Sequence, residues 1–296
     1  MADGWKWANG PFGSLESLQM LAARIRRDVV EMIGGDGATG HLGGSCSCAD
    51  ILAALYGAKM RHRPSEPDYP GRDKFICSKG HAAIALYAAL AETGYFPREE
   101  LRSVKQLGSM LQGHPDRLKT PGVEAGTGSL GQGLSIANGL ALAMRLDGSD
   151  RKVYCLMGDG EIAEGQIWEA AMASSNFRLD SLTAILDQNG LQATGPCAER
   201  FRTDPLPEKW RSFGWHVIRA DGHDIRAVLE ALDEADATKG APSIVIAATV
   251  KGKGISFAEN VAAFHNGSLT KEQYGAALGE LDGRLGELMA AGARGR

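Results

Sequence analysis

The chain of 296 residues predicts an α/β fold: a doubly wound, mainly parallel sheet flanked by helices. Short apolar runs, typical of strands buried on both faces, alternate with segments of helical or turn composition. These runs are KFIC, KVYCLM, LTAILD, WHVI and SIVIAATV. A chain of this length can form one compact unit around one extended sheet, so we expect a single domain over residues 1–296.

Helical periodicity accompanies these runs. Ser14 precedes apolar residues at helical spacing, and Gly34 and Gly35 follow them, as in a capped amphipathic helix. Further helices are expected at residues 48–59, 80–93 and 270–296. The last of these would form a helical C-terminal tail.

Composition narrows the class of protein. Hydrophobic residues make up 44% of the chain and charged residues 23%, as in ordinary globular proteins. The N-terminus has no apolar signal segment, and no later stretch reaches the roughly 20 apolar residues that span a bilayer, so we expect a cytoplasmic protein without membrane association. A net charge of -4 gives no long-range attraction for nucleic acid, and a small-molecule substrate fits better. The cysteines form no repeated CxxC pairs, so neither a disulfide framework nor a zinc site is expected.

Two turns that follow predicted strands carry candidate metal ligands. Asp159 lies in a Gly-Asp-Gly turn after KVYCLM, and Asn189 follows LTAILD. Each turn alone is a common pattern, but the carboxyl ends of parallel strands meet at one edge of a sheet, which would bring the two residues together. Mg²⁺ prefers oxygen ligands and is often held by one or two protein groups plus phosphate oxygens. Gly158 and Gly160 would allow the backbone to approach such an anion closely, and the next helix would point its positive N-terminus at it.

This arrangement resembles the signature of thiamine-diphosphate enzymes, and further segments resemble transketolases in their order along the chain. The segments are SKGHAAIALYAAL, QGHPD, GTGSLGQGLSIANGLALA and GDGEIAEGQIWEA. The resemblance runs from about Leu15 to about His265 and implies thiamine diphosphate and Mg²⁺ as cofactors. It also implies that Asp159, Asn189 and the carbonyl of Leu191 ligate the metal ion.

The resemblance implies roles for other residues as well. The residues expected to contact the cofactor are His81, Gly128, Ser129, Leu130, Gly160, Asn189, Lys251 and His265. The residues expected to face the sugar and assist proton transfers are His41, His114 and His265. Imidazole suits this task because it titrates near neutrality and exchanges protons with hydroxyl and carbonyl oxygens. The histidines expected to be structural or surface residues are His62, His216 and His223.

Two acidic residues follow the Gly-Asp-Gly turn. The resemblance implies that Glu164, on the next helix, joins a carboxylate relay between paired active sites. Glu161 is expected to be an exposed acid favoured by the helix dipole. Two departures from the family pattern leave the sugar open: a leucine follows His41 where many transketolases have proline, and Asn266 follows His265 where the family often has glycine.

Other functions are compatible with parts of the pattern. GTGSLG also fits the GxGxxG fingerprint of nicotinamide dehydrogenases, although no apolar strand precedes it and no acidic residue ends a second strand about 20 positions later. Within thiamine enzymes, the α subunit of a 2-oxo acid dehydrogenase and deoxyxylulose-phosphate synthase are alternatives, which SKGHA and the His114 segment disfavour. A non-catalytic assembly subunit is disfavoured by Asp159, Asn189 and the histidines.

Thiamine chemistry further needs a carboxylate at the pyrimidine nitrogen of the cofactor. In transketolases this residue belongs to a second domain, whereas the present chain ends at Arg296. We therefore expect a C-terminal transketolase subunit that carries the pyrimidine-binding domain, in an α2β2 assembly. The expected reaction transfers a two-carbon ketol unit from a ketose, phosphorylated or otherwise anionic, to an aldose.

Overall fold

A five-stranded, entirely parallel sheet forms the centre of the computed structural model, which describes residues 12–34 and 38–294. Its strands are β1 (Lys74–Cys77), β2 (Val153–Gly158), β3 (Leu182–Gln188), β6 (His216–Asp221) and β7 (Ser243–Ala248). A small antiparallel hairpin consists of β4 (Leu191–Gln192) and β5 (Gly195–Pro196). The order across the main sheet is β1-β2-β3-β7-β6, so each predicted apolar run forms a strand and the predicted fold class is confirmed.

Helices cover both faces of the sheet. One face carries α1 (Leu15–Ile33), α3 (Ala49–Ala54), α4 (Ala83–Glu92) and α9 (Ile225–Ala237). The other carries α5 (Gly133–Leu146), α6 (Gly165–Asn176) and α8 (Leu206–Ser212). The remaining α-helices are α2 (Leu42–Ser47), α7 (Cys197–Arg200) and α10 (Lys271–Arg294), the last of which packs along α1.

Shorter helical turns modify the predicted helix bounds. The helix expected at 48–59 consists of α3 followed by a π-helical turn, Leu55–Lys59. The helix expected at 80–93 opens with a 3-10 turn, Gly80–Ala82, before α4. Further 3-10 turns are Arg98–Ser103, Glu161–Ala163 and Ala262–His265. None of the described helices combines the length and apolar composition that crossing a bilayer requires.

The N-terminal helix starts as its sequence predicts. Ser14 and Ser17 form a reciprocal capping box at the start of α1, and Gly34 is its C-terminal cap. Gly35 lies outside the described residues, as do both chain ends, and a single domain over the whole chain stays a prediction.

The strand register places the candidate site at one edge of the sheet. Gly158 of β2 lies opposite Asp187 of β3, which in turn lies opposite Ala247 of β7. Because these strands are parallel, the loops that follow them leave the sheet at nearly the same level. Ligands of open α/β sheets bind at this carboxyl edge.

Candidate functional site

Loops at the carboxyl edge of the sheet hold the predicted metal ligands and several of the residues predicted to contact the cofactor. They are residues 78–81 after β1, 159–161 after β2, 189–191 after β3 and 249–251 after β7. The GTGSLG segment lies beside them and leads into α5. It follows turns rather than a strand, so it lacks the structural context of a dinucleotide-binding fingerprint.

The two predicted metal turns meet. Asp159 is only 4% exposed, and its carboxylate accepts hydrogen bonds from the backbone N–H of Gly160, at 2.8 Å, and of Gly190. The side-chain oxygen of Asn189 accepts the N–H of Leu191 at 3.1 Å. Burial, together with the nearby Asp187 carboxylate, raises the pKa of Asp159 to about 6. A bound cation would offset both effects.

Lys251 connects this turn to the histidines. Its buried ammonium donates to the carbonyl of Leu191 at 2.9 Å, and it lies 2.9 Å from Nδ1 of His265. Burial and the Lys79 cation lower the pKa of Lys251 to about 8. The Leu191 carbonyl, predicted to ligate a metal ion, therefore already faces a cationic group inside the site.

The donor set fits Mg²⁺ bound together with a diphosphate. It combines one carboxylate, one amide oxygen and one backbone carbonyl, and the described residues contain no group of three His, Cys, Asp or Glu side chains that could hold a metal alone. Mg²⁺ that keeps phosphate and water oxygens needs no such group. Two buried polar atoms beside these loops, Nε2 of Gln192 and Oγ1 of Thr127, have no hydrogen-bond partner within the described chain. A polar ligand would supply partners.

Glycines let the loops approach one another closely. A Cβ atom on Gly80 would lie 2.6 Å from the backbone nitrogen of Gly128, closer than real Cβ contacts. Gly128 has a φ of +146°, and a Cβ there would lie 3.0 Å from the His114 ring. The predicted Ser129 is exposed and Leu130 is half-buried in the same loop.

An open cavity of about 520 Å³ lies in front of this loop, and His114 and Ser129 line it. The Tyr87 hydroxyl fixes the position of the His114 backbone, because it donates to the carbonyl of His114 at 3.0 Å.

The predicted substrate-facing and cofactor-contacting histidines form one cluster. The ring centroid of His41 lies 5.2 Å from that of His81, 5.3 Å from that of His265 and 6.5 Å from that of His114. His81 and His265 are 5.2 Å apart. A backbone bridge between Gly40 and Gly267, with N–H···O distances of 2.9 and 3.0 Å, holds the His41 and His265 segments together.

Burial keeps three of these rings neutral. Burial, followed by the Lys105 cation, lowers the pKa of His41 to about 4. Burial and Lys251 lower the pKa of His265 to about 4, and burial and Lys79 lower that of His81 to about 2. The expectation that these imidazoles titrate near neutrality is therefore wrong for the free chain. A neutral ring carries one N–H donor and one nitrogen acceptor, which suits the hydroxyl groups of a sugar.

Lys105 is a site residue that the sequence argument missed. Its φ is +61°, and its ammonium donates to the carbonyl of Thr39 at 2.6 Å, two residues before His41. It lies in a turn that follows the 3-10 turn Arg98–Ser103 and shows no hydrophobic periodicity, so no pattern in the sequence indicated its position.

A buried ion pair under the site was also missed. Lys79 is 1% exposed and Asp187 is fully buried, and their side chains are directly paired. Burial by itself disfavours the charged lysine, but Asp187 raises its pKa overall. The signal was present in the sequence, since Lys79 follows the apolar run KFIC and Asp187 ends the apolar run LTAILD.

Glu161 corrects a prediction. It was expected to be exposed, but it is 2% exposed, and its carboxylate accepts hydrogen bonds from the Ser78 hydroxyl and from the N–H groups of Gly131 and Gly158, both at 3.0 Å. Its position is determined by loops from other parts of the chain that fold over it, rather than by the helix dipole. Glu161 thus joins the SKGH loop, the metal turn and the GTGSLG loop.

Glu164 is exposed and occupies the N-cap position of α6, just before the helix, without a capping hydrogen bond from its side chain. The other histidines lie outside the cluster. His62 contacts the Tyr95 hydroxyl, and His216 pairs with Glu234. His223 contacts the Asp50 carboxylate at 2.8 Å through Nδ1 and accepts the N–H of Val250 at Nε2.

Comparison with known proteins identifies the family. The sequence family described as "Transketolase, thiamine diphosphate binding domain" matches residues 18–281. The chain is 47% identical over 265 residues to 6-deoxy-6-sulfo-D-fructose transketolase subunit SqwG of Clostridium sp. (strain MSTE9), covering 90% of this chain and 96% of that protein. It is 40% identical to one subunit of the apulose-4-phosphate transketolase of Phocaeicola vulgatus, covering 93% of this chain and 97% of that protein.

Solved structures agree. Transketolase from Leishmania mexicana superposes with a TM-score of 0.80 at 29% identity, covering 94% of this chain. Transketolase from Pichia stipitis in complex with sedoheptulose-7-phosphate superposes with a TM-score of 0.82 at 28% identity, covering 95% of this chain. The chain spans 45% of the length of each of these structures. The matched residues and the shared architecture show that the chain belongs to the transketolase family and contains its thiamine diphosphate binding domain.

Proposed function

We propose that this chain is the diphosphate-binding subunit of a thiamine-diphosphate- and Mg²⁺-dependent transketolase. It would transfer a two-carbon ketol unit from a ketose, phosphorylated or otherwise anionic, to an aldose. The observation that carries the proposal is the packing of His41, His81 and His265 beside the joined turns of Asp159 and Asn189.

Residues on one side of the site suit the cofactor. Asp159, Asn189 and the carbonyl of Leu191 would hold Mg²⁺, and the Lys251 ammonium would neutralise diphosphate charge. Because Gly160 has no side chain, the phosphates could approach its backbone closely. Bound thiamine diphosphate supplies the carbon centre that accepts the two-carbon unit and releases it to the second sugar.

Residues on the other side suit the sugar. A neutral His41 or His265 can accept a proton from a hydroxyl group or donate one to a carbonyl oxygen as the carbon–carbon bond breaks or forms. His114 lines the open cavity and would contact the incoming acceptor. Lys105, next to the His41 segment, offers a cation to an anionic sugar. Two relatives are named for 6-deoxy-6-sulfo-D-fructose and for apulose-4-phosphate, which are anionic sugars. These names support an anionic sugar as the substrate.

The comparisons support a partner subunit. This chain covers 96% and 97% of two relatives that are named as subunits, but only 45% of the Leishmania mexicana transketolase chain. We infer that a C-terminal subunit supplies the pyrimidine-binding domain and that two copies of each chain form an α2β2 assembly. Glu164, exposed beside the GTGSLG loop, would then reach the relay across the interface. The cytoplasmic location stays a prediction.

A reconstitution experiment tests the proposal. The chain is purified alone and together with the product of a neighbouring gene that encodes a C-terminal transketolase subunit. Ketol transfer from several ketoses is then measured with thiamine diphosphate and Mg²⁺. We expect ketol transfer by the mixture of the two chains and none by this chain alone. Full activity of the isolated chain would refute the partner requirement, and inactivity of the mixture with every ketose, without cofactor binding, would refute the function.

A further inference from the structure

One buried carboxylate connects several segments that carry the candidate site. Asp187, at the end of β3, accepts hydrogen bonds from the Lys79 ammonium, from the Ser47 hydroxyl at 2.6 Å and from the Thr249 hydroxyl. Lys79 also donates to the carbonyl of Gly44 at 2.7 Å. These five residues are called the Asp187 cluster.

Members of the cluster lie next to candidate site residues in the sequence. The neighbours, each two positions apart, are Lys79 and His81, Asp187 and Asn189, and Thr249 and Lys251. Gly44 and Ser47 belong to α2, which begins directly after His41. The cluster therefore joins the ends of β1, β3 and β7 to the helix that follows the first histidine.

Stability alone does not account for a charged pair at this depth. Removing two charges from water costs free energy, and apolar replacements of buried ion pairs are often neutral or stabilising. What charged pairs provide is short, directional hydrogen bonds. The sheet hydrogen bonds already fix the strands, whereas the loops beyond them are joined by single backbone hydrogen bonds, such as that from the N–H of Gly252 to the carbonyl of Gly43 at 3.0 Å, and by side-chain contacts.

We propose that the Asp187 cluster is a positioning device, which fixes the loops of His81, Asn189 and Lys251 and the start of α2 relative to one another. Its consequence for thiamine diphosphate and Mg²⁺ rests on the proposed function. Its effect on the loops does not, because that effect can be measured on the free chain.

Thr249 provides a matched pair of variants. Thr249→Val keeps the methyl group that lies against Gly222 and removes the hydroxyl that donates to Asp187, whereas Thr249→Ser keeps the hydroxyl. Hydrogen–deuterium exchange by mass spectrometry follows peptides that cover residues 41–47, 78–84 and 188–192. In Thr249→Val these peptides are expected to exchange about tenfold faster, the effect of losing one hydrogen bond to a charged group. In Thr249→Ser the exchange rates of these peptides should stay within about twofold of those in the parent.

An ion pair at the opposite end of β1 from the Asp187 cluster separates positioning from general destabilisation. Glu124 accepts hydrogen bonds from Arg72 and Lys74, both at 2.9 Å, at the opposite end of β1. Glu124→Gln is expected to leave exchange in the site peptides within about twofold of the parent, even where it lowers the melting temperature. Equal exchange of the site peptides in Thr249→Val and the parent overturns the proposal, as does equal acceleration in Thr249→Val and Glu124→Gln.

Cofactor binding gives a second measurement. The dissociation constant for thiamine diphosphate at saturating Mg²⁺, measured by calorimetry, is expected to rise about tenfold in Thr249→Val and to recover in Thr249→Ser. Unchanged affinity in Thr249→Val contradicts the role of the cluster at the cofactor. A parent protein, with its partner subunit, that binds no thiamine diphosphate contradicts the proposed function instead, and the exchange data still decide whether the cluster positions the loops.

Discussion

Replacing His81 by asparagine is expected to remove a defined part of the acid sensitivity of the free chain. Burial, followed by the Lys79 cation, lowers the pKa of His81 to about 2, whereas an unfolded histidine titrates near 6.5. Between these values the unfolded chain binds a proton that the folded chain does not. The free energy of unfolding therefore falls as the pH falls below about 6.5.

The size of this loss follows from the pKa difference. At pH 4.5 the unfolded histidine is about two pH units below its pKa while the folded ring is still neutral, so at about 1.36 kcal/mol per unit His81 removes about 2.7 kcal/mol. Folded domains have only about 5–15 kcal/mol of stability. His41 and His265 shift in the same direction but are more exposed, so solvent screens their share.

Urea unfolding of the parent and of His81→Asn at pH 7.5 and 4.5 measures the effect. Fluorescence of the buried Trp210 and Trp215 can report on unfolding. The parent should lose about 2–3 kcal/mol more than the variant between the two pH values. His216→Asn is the control, because that ring is exposed and pairs only with the exposed Glu234. A parent-like pH dependence in His81→Asn would refute the argument that burial keeps this ring neutral.

Three further predictions concern the candidate site. Asp159→Ala should abolish Mg²⁺-dependent binding of thiamine diphosphate in calorimetry, and binding with unchanged metal dependence would contradict the metal assignment. His114→Ala should leave cofactor affinity nearly unchanged and lower turnover of the reconstituted enzyme about 100-fold, as expected for loss of a proton-transfer group; unchanged turnover would contradict its role. Gly128→Ala, at a φ of +146° and with its Cβ 3.0 Å from the His114 ring, should cost about 1–3 kcal/mol in urea unfolding, and no loss would contradict the strain argument.

Sequence patterns predicted the strands and the turns that carry Asp159 and Asn189 because both depend on neighbouring residues. A buried parallel strand appears as an apolar run, and the turn after it carries glycine and a polar side chain, as around Asp159 and Asn189. The position of β7 between β3 and β6 was not predicted, because no local signal specifies which strands pair. That pairing places Thr249 next to Asp187, so the contact between these two side chains could not be predicted either.

Local rules failed where distant segments decide burial. The helix-dipole argument placed Glu161 at the surface, but the loops that contain Ser78 and Gly131 fold over it. The proximity of His41 and His265 similarly depends on the backbone bridge between Gly40 and Gly267. The resemblance to transketolases indicated that these histidines share a site, but nothing in the sequence indicated how far apart their rings lie.

Under the proposed function, the charges around the histidine cluster would let one site serve an anionic cofactor and an anionic sugar. Lys79 cannot serve either, because Asp187 already neutralises it in the interior. Lys251 faces the Leu191 carbonyl, and Lys105 lies beside the His41 segment. In the proposed function each cation would have a separate anion to receive, with neutral imidazoles between them. Protonated imidazoles there would repel both lysines, and burial of the rings disfavours that protonation by lowering the pKa of His41 and His265.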